Sequence, residues 1–204
     1  MVAWTKSQLE FYDVAKAKQT ETQSVSPGEV GALTLSADGT IAALAVKKSG
    51  NVSLWDVSAK KPVANGEFPA HQEAIHDLMI TPDKKTLVTT DNKGNAKVWD
   101  LTLLPAAKPG KPPEAVKSWL AHKLPEGAKT AISALAMSPD GKTCATASSD
   151  NVVKIWEIAT GKELRTIEFQ VNRPFFILNM VYTPDGKHIA TANHNATSYL
   201  LDLP

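Results

Sequence analysis

The chain has 204 residues, of which 43% are hydrophobic and 21% are charged, a balance typical of a soluble globular protein with a sizeable core. The 22 basic and 21 acidic side chains leave a formal net charge of +1, so the basic excess typical of nucleic-acid-binding proteins is lacking. No apolar run approaches the roughly 20 residues of a membrane-spanning helix, and the N-terminus does not read as a secretory signal. We therefore expect neither nucleic acid nor a membrane as a partner.

The single cysteine, Cys144, excludes an intramolecular disulfide. Because Cys144 lies within an apolar run, we expect a buried thiol without a reactive role. The lack of a signal segment and of disulfides favours a cytoplasmic location.

The first unit of the chain is predicted to be an incomplete antiparallel sheet. Residues 2–5 and 9–14 form two short strands, and residues 20–25 form a polar edge strand. The second strand ends in Tyr-Asp-Val, which matches the end of the third strand in later units. We therefore expect the chain to begin in the second strand of a unit.

Three units of four strands follow, and the last unit has three strands. Their apolar runs are rich in Val, Ile, Thr and aromatic residues and are bounded by turn signals, as in antiparallel strands. The runs comprise residues 30–35, 41–46, 52–57 and 62–68; 75–80, 86–90, 96–101 and 115–120; 132–137, 143–147, 152–158 and 163–169; and 176–182, 188–192 and 198–203. Runs such as IAALAV and VVKIWEI carry neighbouring apolar residues, which is typical of sheets covered on both faces.

Two short motifs recur in register. The first turn of successive units reads SADGT, TPDKK, SPDGK and TPDGK, and Pro, Asp and Gly there favour a tight turn. The third strand ends in LWDV, VWDL, IWEI or LLDL. The turn aspartates, separated by 45, 57 and 45 residues, are Asp38, Asp83, Asp140 and Asp185. The long middle step includes a Pro-rich stretch, residues 102–113, which we expect to be a surface loop, either a tolerated insertion or a binding epitope.

A period of about 40–45 residues with a Trp-Asp ending is typical of a propeller blade. On these motifs the chain resembles the WD40 repeat family over nearly all of its length. The resemblance implies one all-β propeller domain, residues 1–204, with about five blades of four-stranded antiparallel sheets. The expected repeats are residues 1–26 (partial), 27–70, 71–121, 122–172 and 173–204 (partial).

Fewer than five whole blades are predicted, whereas propellers have 4–8 blades and rings of this family most often have seven. We expect a C-terminal portion of a larger propeller, forming an open or partial ring. The final TANHNATSYLLDLP resembles the ends of long bacterial chains of this family. An open arc would expose apolar blade faces, so we expect self-association through the incomplete terminal blades, or a partner.

The resemblance also implies a buried hydrogen-bonded chain of four side chains in each blade: a His, a Ser or Thr, an Asp and a Trp. In residues 122–172 these are His122, Thr146, Asp150 and Trp156. Residues 71–121 keep His71, Thr89 and Trp99 but have Lys93 where the acid is expected. The corresponding residues of the other units are Ala45 and Ser49, and Thr191 and Asn195. We therefore expect at most one complete set, with a structural and not a catalytic role.

No motif indicates catalysis, a cofactor or a metal. The five histidines show no metal-binding spacing, and a single cysteine cannot build a thiolate zinc site. Phosphate-binding, nucleophile-elbow and dinucleotide-binding glycine patterns are lacking, so no catalytic residue is predicted.

The remaining candidate is a surface. The resemblance implies that partners bind on the face around the central channel, at Lys48, His76, Asn92, Ser133, Ser149, Asn179 and His194; the alternative for these residues is a solvated polar rim. The predicted function is a non-catalytic scaffold for a protein or peptide partner. Two alternatives stay open: a regulatory or sensor portion of a larger enzyme, such as a kinase, and a catalytic propeller hydrolase, for which only His76 and Asp77 are suitably placed.

Overall fold

The computed structural model describes residues 2–5, 8–13, 16, 18–24, 29–106, 113–123, 132–149, 151–169 and 176–203. Within these ranges the chain forms 18 β-strands in five antiparallel sheets, in which strands that follow one another in sequence are neighbours. Three strands form the first and last sheets, and four strands form each of the others. This result confirms the predicted all-β, propeller-type architecture.

The sheets are numbered in chain order. Sheet 1 contains β1 (Val2–Thr5), β2 (Gln8–Asp13) and β3 (Lys18–Ser24). Sheet 2 contains β4 (Val30–Leu35), β5 (Ile41–Val46), β6 (Asn51–Asp56) and β7 (Lys61–Pro69). Sheet 3 contains β8 (Ile75–Ile80), β9 (Thr86–Asp91), β10 (Asn95–Asp100) and β11 (Lys117–Leu120). Sheet 4 contains β12 (Ile132–Met137), β13 (Thr143–Ser148), β14 (Val152–Glu157) and β15 (Lys162–Glu168), and sheet 5 contains β16 (Ile177–Tyr182), β17 (His188–Asn193) and β18 (Ser198–Asp202).

The recurring aspartate turn closes the hairpin between the first and second strands of a sheet. In sheet 4 the Ser138 hydroxyl donates to Asp140 Oδ1 at 2.7 Å, and the Lys142 backbone N–H donates to the same oxygen at 3.0 Å. Gly141 supplies the positive φ, 69°, that the turn requires. These hydrogen bonds hold the pKa of Asp140 below its usual value. The motif therefore marks a turn that is stabilised within its own five residues.

Sheets 2, 3 and 4 each have two apolar faces because each lies between two others. We call the face turned toward the next sheet in the chain the forward face, and the opposite face the backward face. On sheet 4, Ala145 belongs to the forward face and packs with sheet 5, whereas Cys144 and Trp156 belong to the backward face and pack with sheet 3. Four apolar clusters fill the four junctions between consecutive sheets.

Aromatic pairs join the outer parts of neighbouring sheets. Phe68 of β7 lies 4.9 Å from Trp99 of β10, measured between ring centroids. Trp119 of β11 and Trp156 of β14 are 5.7 Å apart in the same way. Toward the centre, the first strands β4, β8, β12 and β16 are successive neighbours. Sheets 2 to 5 therefore fan out from a line of inner strands, and among the described residues no apolar cluster joins sheet 5 to sheet 1, so the arc is open.

The Pro-rich stretch differs from its prediction as a surface loop. It begins with a 3-10 helix, Leu101–Ala106, whose Leu104 is buried in the cluster between sheets 2 and 3. The Asp100 carboxylate accepts the Thr102 N–H at 2.9 Å, and the Asn65 side chain donates to the Leu104 carbonyl at 3.2 Å. Packing an apolar side chain into the core is favoured over leaving it exposed to water. Residues 107–112, the rest of the stretch, lie outside the described residues.

Candidate functional site

The predicted surface residues all lie at one end of their sheets. One end of each sheet carries the start of the first strand and the turn between the second and third strands. We call this end the upper end. Backbone hydrogen bonds tie these two parts together, from Asn92 N–H to Ala74 O at 3.0 Å and from His194 N–H to Phe176 O at 2.9 Å. The seven residues are spread over sheets 2 to 5: Lys48, Asn92, Ser149 and His194 lie in the turns, and His76, Ser133 and Asn179 lie in the first strands.

A bulge recurs at the upper end of every first strand in sheets 2 to 5. Strand pairing shifts by one residue at Gly31, His76, Ser133 and Leu178. A bulge leaves one residue out of the ladder and turns its side chain away from the regular positions. The fold therefore repeats the same local backbone four times with a different residue at each bulge, and Gly31 of sheet 2 presents no side chain.

Asn179 does not occupy the same place as His76 and Ser133. Leu178 stands at the bulge of sheet 5 and is 63% exposed. Asn179 instead matches Asp77, and each of the two accepts the backbone N–H of the next residue at 2.8 Å. The placement was wrong by one position. Counting five residues back from the first residue of each aspartate turn locates the bulge correctly.

Asp77 joins the first strands of two sheets. Its half-buried carboxylate accepts the backbone N–H groups of Leu78 and of Leu135, which belongs to β12. Burial raises the pKa of Asp77, and these hydrogen bonds and nearby His76 offset the rise only in part. Asp77 therefore has a structural role, because its carboxylate links β8 to β12.

Sheet 3 contains a complete buried chain of hydrogen bonds. Trp99 Nε1 donates to Thr89 Oγ1 at 2.9 Å, Thr89 Oγ1 lies 2.7 Å from His71 Nε2, and His71 Nδ1 lies 3.1 Å from Asp91 Oδ2. Because Nδ1 faces a carboxylate, Nδ1 carries the proton of a neutral ring, and the Thr89 hydroxyl donates to Nε2.

The expectation that this sheet lacks its acid was wrong. Lys93 stands where the acid was expected, but Asp91 at the end of β9 takes the role. In the turn that follows Asp91, the backbone N–H groups of Lys93 and Asn95 donate to Asp91 Oδ1, at 3.0 and 2.9 Å. Although burial disfavours the charge, the hydrogen bonds from His71 and Asn95 hold the pKa of Asp91 below its usual value.

The other sheets have shorter hydrogen-bonded chains in the described residues. In sheet 4, Trp156 Nε1 donates to Thr146 Oγ1 and His122 Nε2 contacts the same oxygen, both at 2.8 Å. Asp150, the acid predicted there, lies outside the described residues. In sheet 2 the strand register places Leu44, and not Ala45 as expected, at the position of the threonine, and Trp55 Nε1 donates instead to Ser53 Oγ at 2.9 Å.

In sheets 2 and 5 the predicted turn positions bond locally. The Ser49 hydroxyl donates to the Val46 carbonyl at 3.1 Å. Asn195 Oδ1 accepts the Thr197 hydroxyl at 2.7 Å, and Thr191 Oγ1 accepts the Tyr199 N–H at 3.2 Å. None of these three contacts involves a histidine.

Two sets of potentially reactive groups among the described residues are buried. The His71–Asp91 pair is buried, and burial raises the pKa of Cys144 to about 12. Across the described ranges, no three His, Cys, Asp or Glu side chains lie close enough to hold a metal ion. No described helix has the length and apolarity to cross a membrane. Two clefts of about 400 and 450 Å³ lie at the lower end, beside the aspartate turns, away from the predicted surface.

Comparison with known proteins relates the repeats to a family. The family described as WD domain, G-beta repeat, matches residues 61–100 and 116–157. The chain is 28% identical to Protein groucho of Drosophila melanogaster over 149 residues, which are 73% of this chain and 18% of that protein. It is 26% identical to WD repeat-containing protein 18 of Danio rerio over 179 residues, 88% of this chain and 39% of that protein.

Both of these relatives come from animals, and the expected likeness to bacterial chains stays a prediction. The two matched segments run from β7 to β10 and from β11 to β14, so each has a fourth strand followed by the three strands of the next sheet. Both segments end with the third strand that carries the Trp of the hydrogen-bonded chain. Residues 61–100 and 116–157 thus match the WD40 repeat, and the five antiparallel sheets and these buried chains support the same family for the chain.

Proposed function

We propose that the protein is a non-catalytic interaction module that binds a protein or peptide segment at the upper ends of its sheets. The observation that carries this proposal is the bulge repeated at Gly31, His76, Ser133 and Leu178. A constant backbone with a different residue at the bulge of each sheet provides a rigid support for a variable surface. Binding residues commonly occupy such positions on a rigid scaffold.

The chemistry of the upper end supports a peptide segment as the partner. Leu178 and Phe176 are exposed apolar groups there, and the Phe176 ring meets His194 edge-on at 5.8 Å. Lys48 of sheet 2 and His76 and Asn92 of sheet 3 add polar groups further along the same end. Apolar groups together with hydrogen-bonding groups are the usual composition of a peptide-binding surface.

Repeat membership supports the same proposal, because the resemblance implies partner binding on this face. The chain spans 18% and 39% of the lengths of the two relatives, and what those whole proteins do is not transferred to it. The alternatives of a sensor portion of a larger enzyme and of a catalytic propeller remain predictions.

Selection of peptides from a random library on the immobilised protein tests the proposal. For a selected peptide, Leu178→Ser and His76→Ala should each weaken binding about 5- to 100-fold in calorimetry, the loss that a contact residue at an interface causes. Lys142→Ala, an exposed change in a lower-end turn, is the control and should leave affinity unchanged. Loss of binding with Lys142→Ala alone would place the site at the lower end and contradict the proposal.

A further inference from the structure

A cleft of about 400 Å³ opens at the lower end between sheets 3 and 4, and we call it the junction cleft. Its apolar wall includes Val98 of β10, Val116 before β11 and Ile158 after β14. Val98 and Ile158 are buried, whereas Val116 is 48% exposed. Ligand-binding sites have volumes of about 300–1,000 Å³, so the junction cleft is large enough to take side chains of a second molecule.

The junction between sheets 2 and 3 has equivalent positions. Leu101 and Ile158 take the same place after a third strand, and the N–H of each donates to a carbonyl of its own aspartate turn, at 2.8 and 2.9 Å. Strand pairing likewise makes Leu54 of β6 equivalent to Val98 of β10. Val63 packs against the cluster that contains Leu54 and Leu101. The two junctions are therefore two copies of one local structure.

A leucine fills this place between sheets 2 and 3. Leu104 of the 3-10 helix Leu101–Ala106 is 2% exposed and packs in the same cluster as Leu54. The preceding residue, Leu103, is 59% exposed, so one leucine of the helix is inserted and the other faces solvent. The Leu104 carbonyl accepts a hydrogen bond from the Asn65 side chain at 3.2 Å. The molecule thus shows which group fits such a junction, namely a leucine on a short helical turn.

Sheet 4 has no equivalent of this helix. The chain turns back directly after Ile158, where the Gly161 N–H donates to the Glu157 carbonyl at 2.8 Å, and β15 begins at the next residue. Within the described ranges, no residue between Ile158 and β15 joins the apolar cluster of this junction. Residues 107–112 consist of Ala, Lys, Pro and Gly, and the described residues that flank residues 124–131 lie at the upper end. The junction cleft is therefore the counterpart of the Leu104 site in a sheet that brings no leucine of its own.

Charged groups at the rim of the junction cleft are unequally paired. Asp100 and Glu157 lie there, and each carboxylate accepts a hydrogen bond from a threonine hydroxyl of its own turn. Lys117 and Lys142 are exposed at the same rim. In the part of the chain that the structure describes, no acid forms an ion pair with Lys117, and Lys142 Nζ lies 4.0 Å from Asp140 Oδ2. A carboxylate on an incoming segment would complement this rim.

We propose that the junction cleft binds a segment of a partner protein that inserts one leucine and sets an acidic residue beside Lys117. The leucine takes the place that Leu104 has in the preceding junction, and burial of its side chain supplies most of the affinity. The acidic residue selects among leucine-containing segments by charge. Both walls belong to complete four-stranded sheets, and the site is separate from the upper-end surface.

The synthetic hexapeptide ETLLPA tests the proposal, because it places one glutamate before the sequence of residues 102–106. Titration into isotope-labelled protein should shift the backbone amide signals of Val98, Lys117 and Ile158, with a dissociation constant of about 0.1–1 mM. Two control peptides exchange one leucine each. ETLSPA lacks the inserted leucine and should bind at least about 10-fold more weakly. ETSLPA lacks only the leucine that corresponds to exposed Leu103 and should bind as ETLLPA does.

Charge reversal tests the acidic contact. Lys117→Glu should weaken the binding of ETLLPA about 3- to 10-fold and should prefer KTLLPA. Lys187→Glu makes the same change at an exposed position in the aspartate turn of sheet 5 and should leave the affinity unchanged. Leu178→Ser, at the upper end, should also have no effect, which separates this site from the upper-end surface. Val116→Trp, at a half-exposed position, should close the cleft and abolish binding without lowering the melting temperature.

Several results would overturn the proposal. Equal binding of ETLLPA and ETLSPA would show that no leucine is inserted, and unchanged affinity in Lys117→Glu would contradict the acidic contact. Shifts centred on His76 and Leu178 would place the peptide at the upper end. Shifts centred on Leu54 and Leu104 would show exchange with the protein's own helix. No shift at about 5 mM peptide would show that the cleft does not accept such a segment.

Discussion

Thr89 Oγ1 is shared between Trp99 Nε1, at 2.9 Å, and His71 Nε2, at 2.7 Å. One hydroxyl thus satisfies a buried indole N–H and a buried imidazole nitrogen. The three side chains come from β9, β10 and the segment before β8, so this oxygen fixes two strands and the entry to a third.

Thr89→Val should destabilise the protein strongly, although it preserves shape. The change leaves the Trp99 N–H and His71 Nε2 buried without partners, and we expect a loss of about 2–4 kcal/mol in the free energy of unfolding. Urea titration followed by tryptophan fluorescence measures this loss. Thr160→Val, at an exposed turn, is the control, and a loss for Thr89→Val no larger than that of the control would contradict the proposed network.

Because of Asp91, the free energy of unfolding should depend on pH in the acid range. The pKa of Asp91 is lower in the folded chain than in the unfolded chain, where it is about 3.9. At pH values above the unfolded-state pKa, ionised Asp91 therefore adds to the free energy of unfolding. That stability is lost as the pH falls through the folded pKa. Asp91→Asn should therefore be less stable at pH 7, and the difference should shrink steadily on acidification. A difference that grows toward low pH would show that Asp91 is protonated when folded.

Asp77 should behave in the opposite sense. Burial raises the pKa of Asp77 in the folded chain above its pKa in the unfolded chain. As the pH rises above the unfolded-state pKa, the ionisation of Asp77 therefore lowers the free energy of unfolding. Asp77→Asn keeps an oxygen acceptor for the Leu78 N–H, as Asn179 does for Met180. We expect this variant to melt at a higher temperature than the parent at pH 7 and at the same temperature at pH 3. A lower melting temperature at pH 7 would mean that the charge is needed.

Gly161 and Gly39 form a matched pair of positions for alanine substitution. Both have φ near +70°, a conformation that costs an alanine about 1–2 kcal/mol. A Cβ on Gly39 would meet nothing within 4 Å, whereas one on Gly161 would lie 2.8 Å from the Trp119 ring. Gly161→Ala should cost about 1–3 kcal/mol more than Gly39→Ala in thermal unfolding, because the indole between sheets 3 and 4 must shift. Equal costs would show that Trp119 moves freely.

Strand order was predictable from sequence because its signals are local. The Ser-Pro-Asp-Gly turn near Asp140 is stabilised by its own side chains, and a Trp-Asp ending or a variant of it (Tyr-Asp, Trp-Glu or Leu-Asp) marks each third strand. Bulges and acid placement were not predictable in the same way. Leu178 rather than Asn179 stands at the bulge because pairing with β17 shifts there, and Asp91 rather than residue 93 reaches His71 because the turn reverses the chain first. The burial of Leu104 depends on contacts across the junction of sheets 2 and 3, where its carbonyl accepts from Asn65, 39 residues earlier in the chain.

The boundaries of the matched repeat and of the sheet differ by one strand, and this offset has an evolutionary consequence. Residues 61–100, one match to the family, give β7 to sheet 2 and β8 to β10 to sheet 3. Duplication of such a segment in a gene would add the outer strand of one blade together with the inner three of the next. An array could thus lengthen by whole segments while every internal blade keeps four paired strands, and the aromatic contact of the type Phe68–Trp99 would be copied along with each new junction.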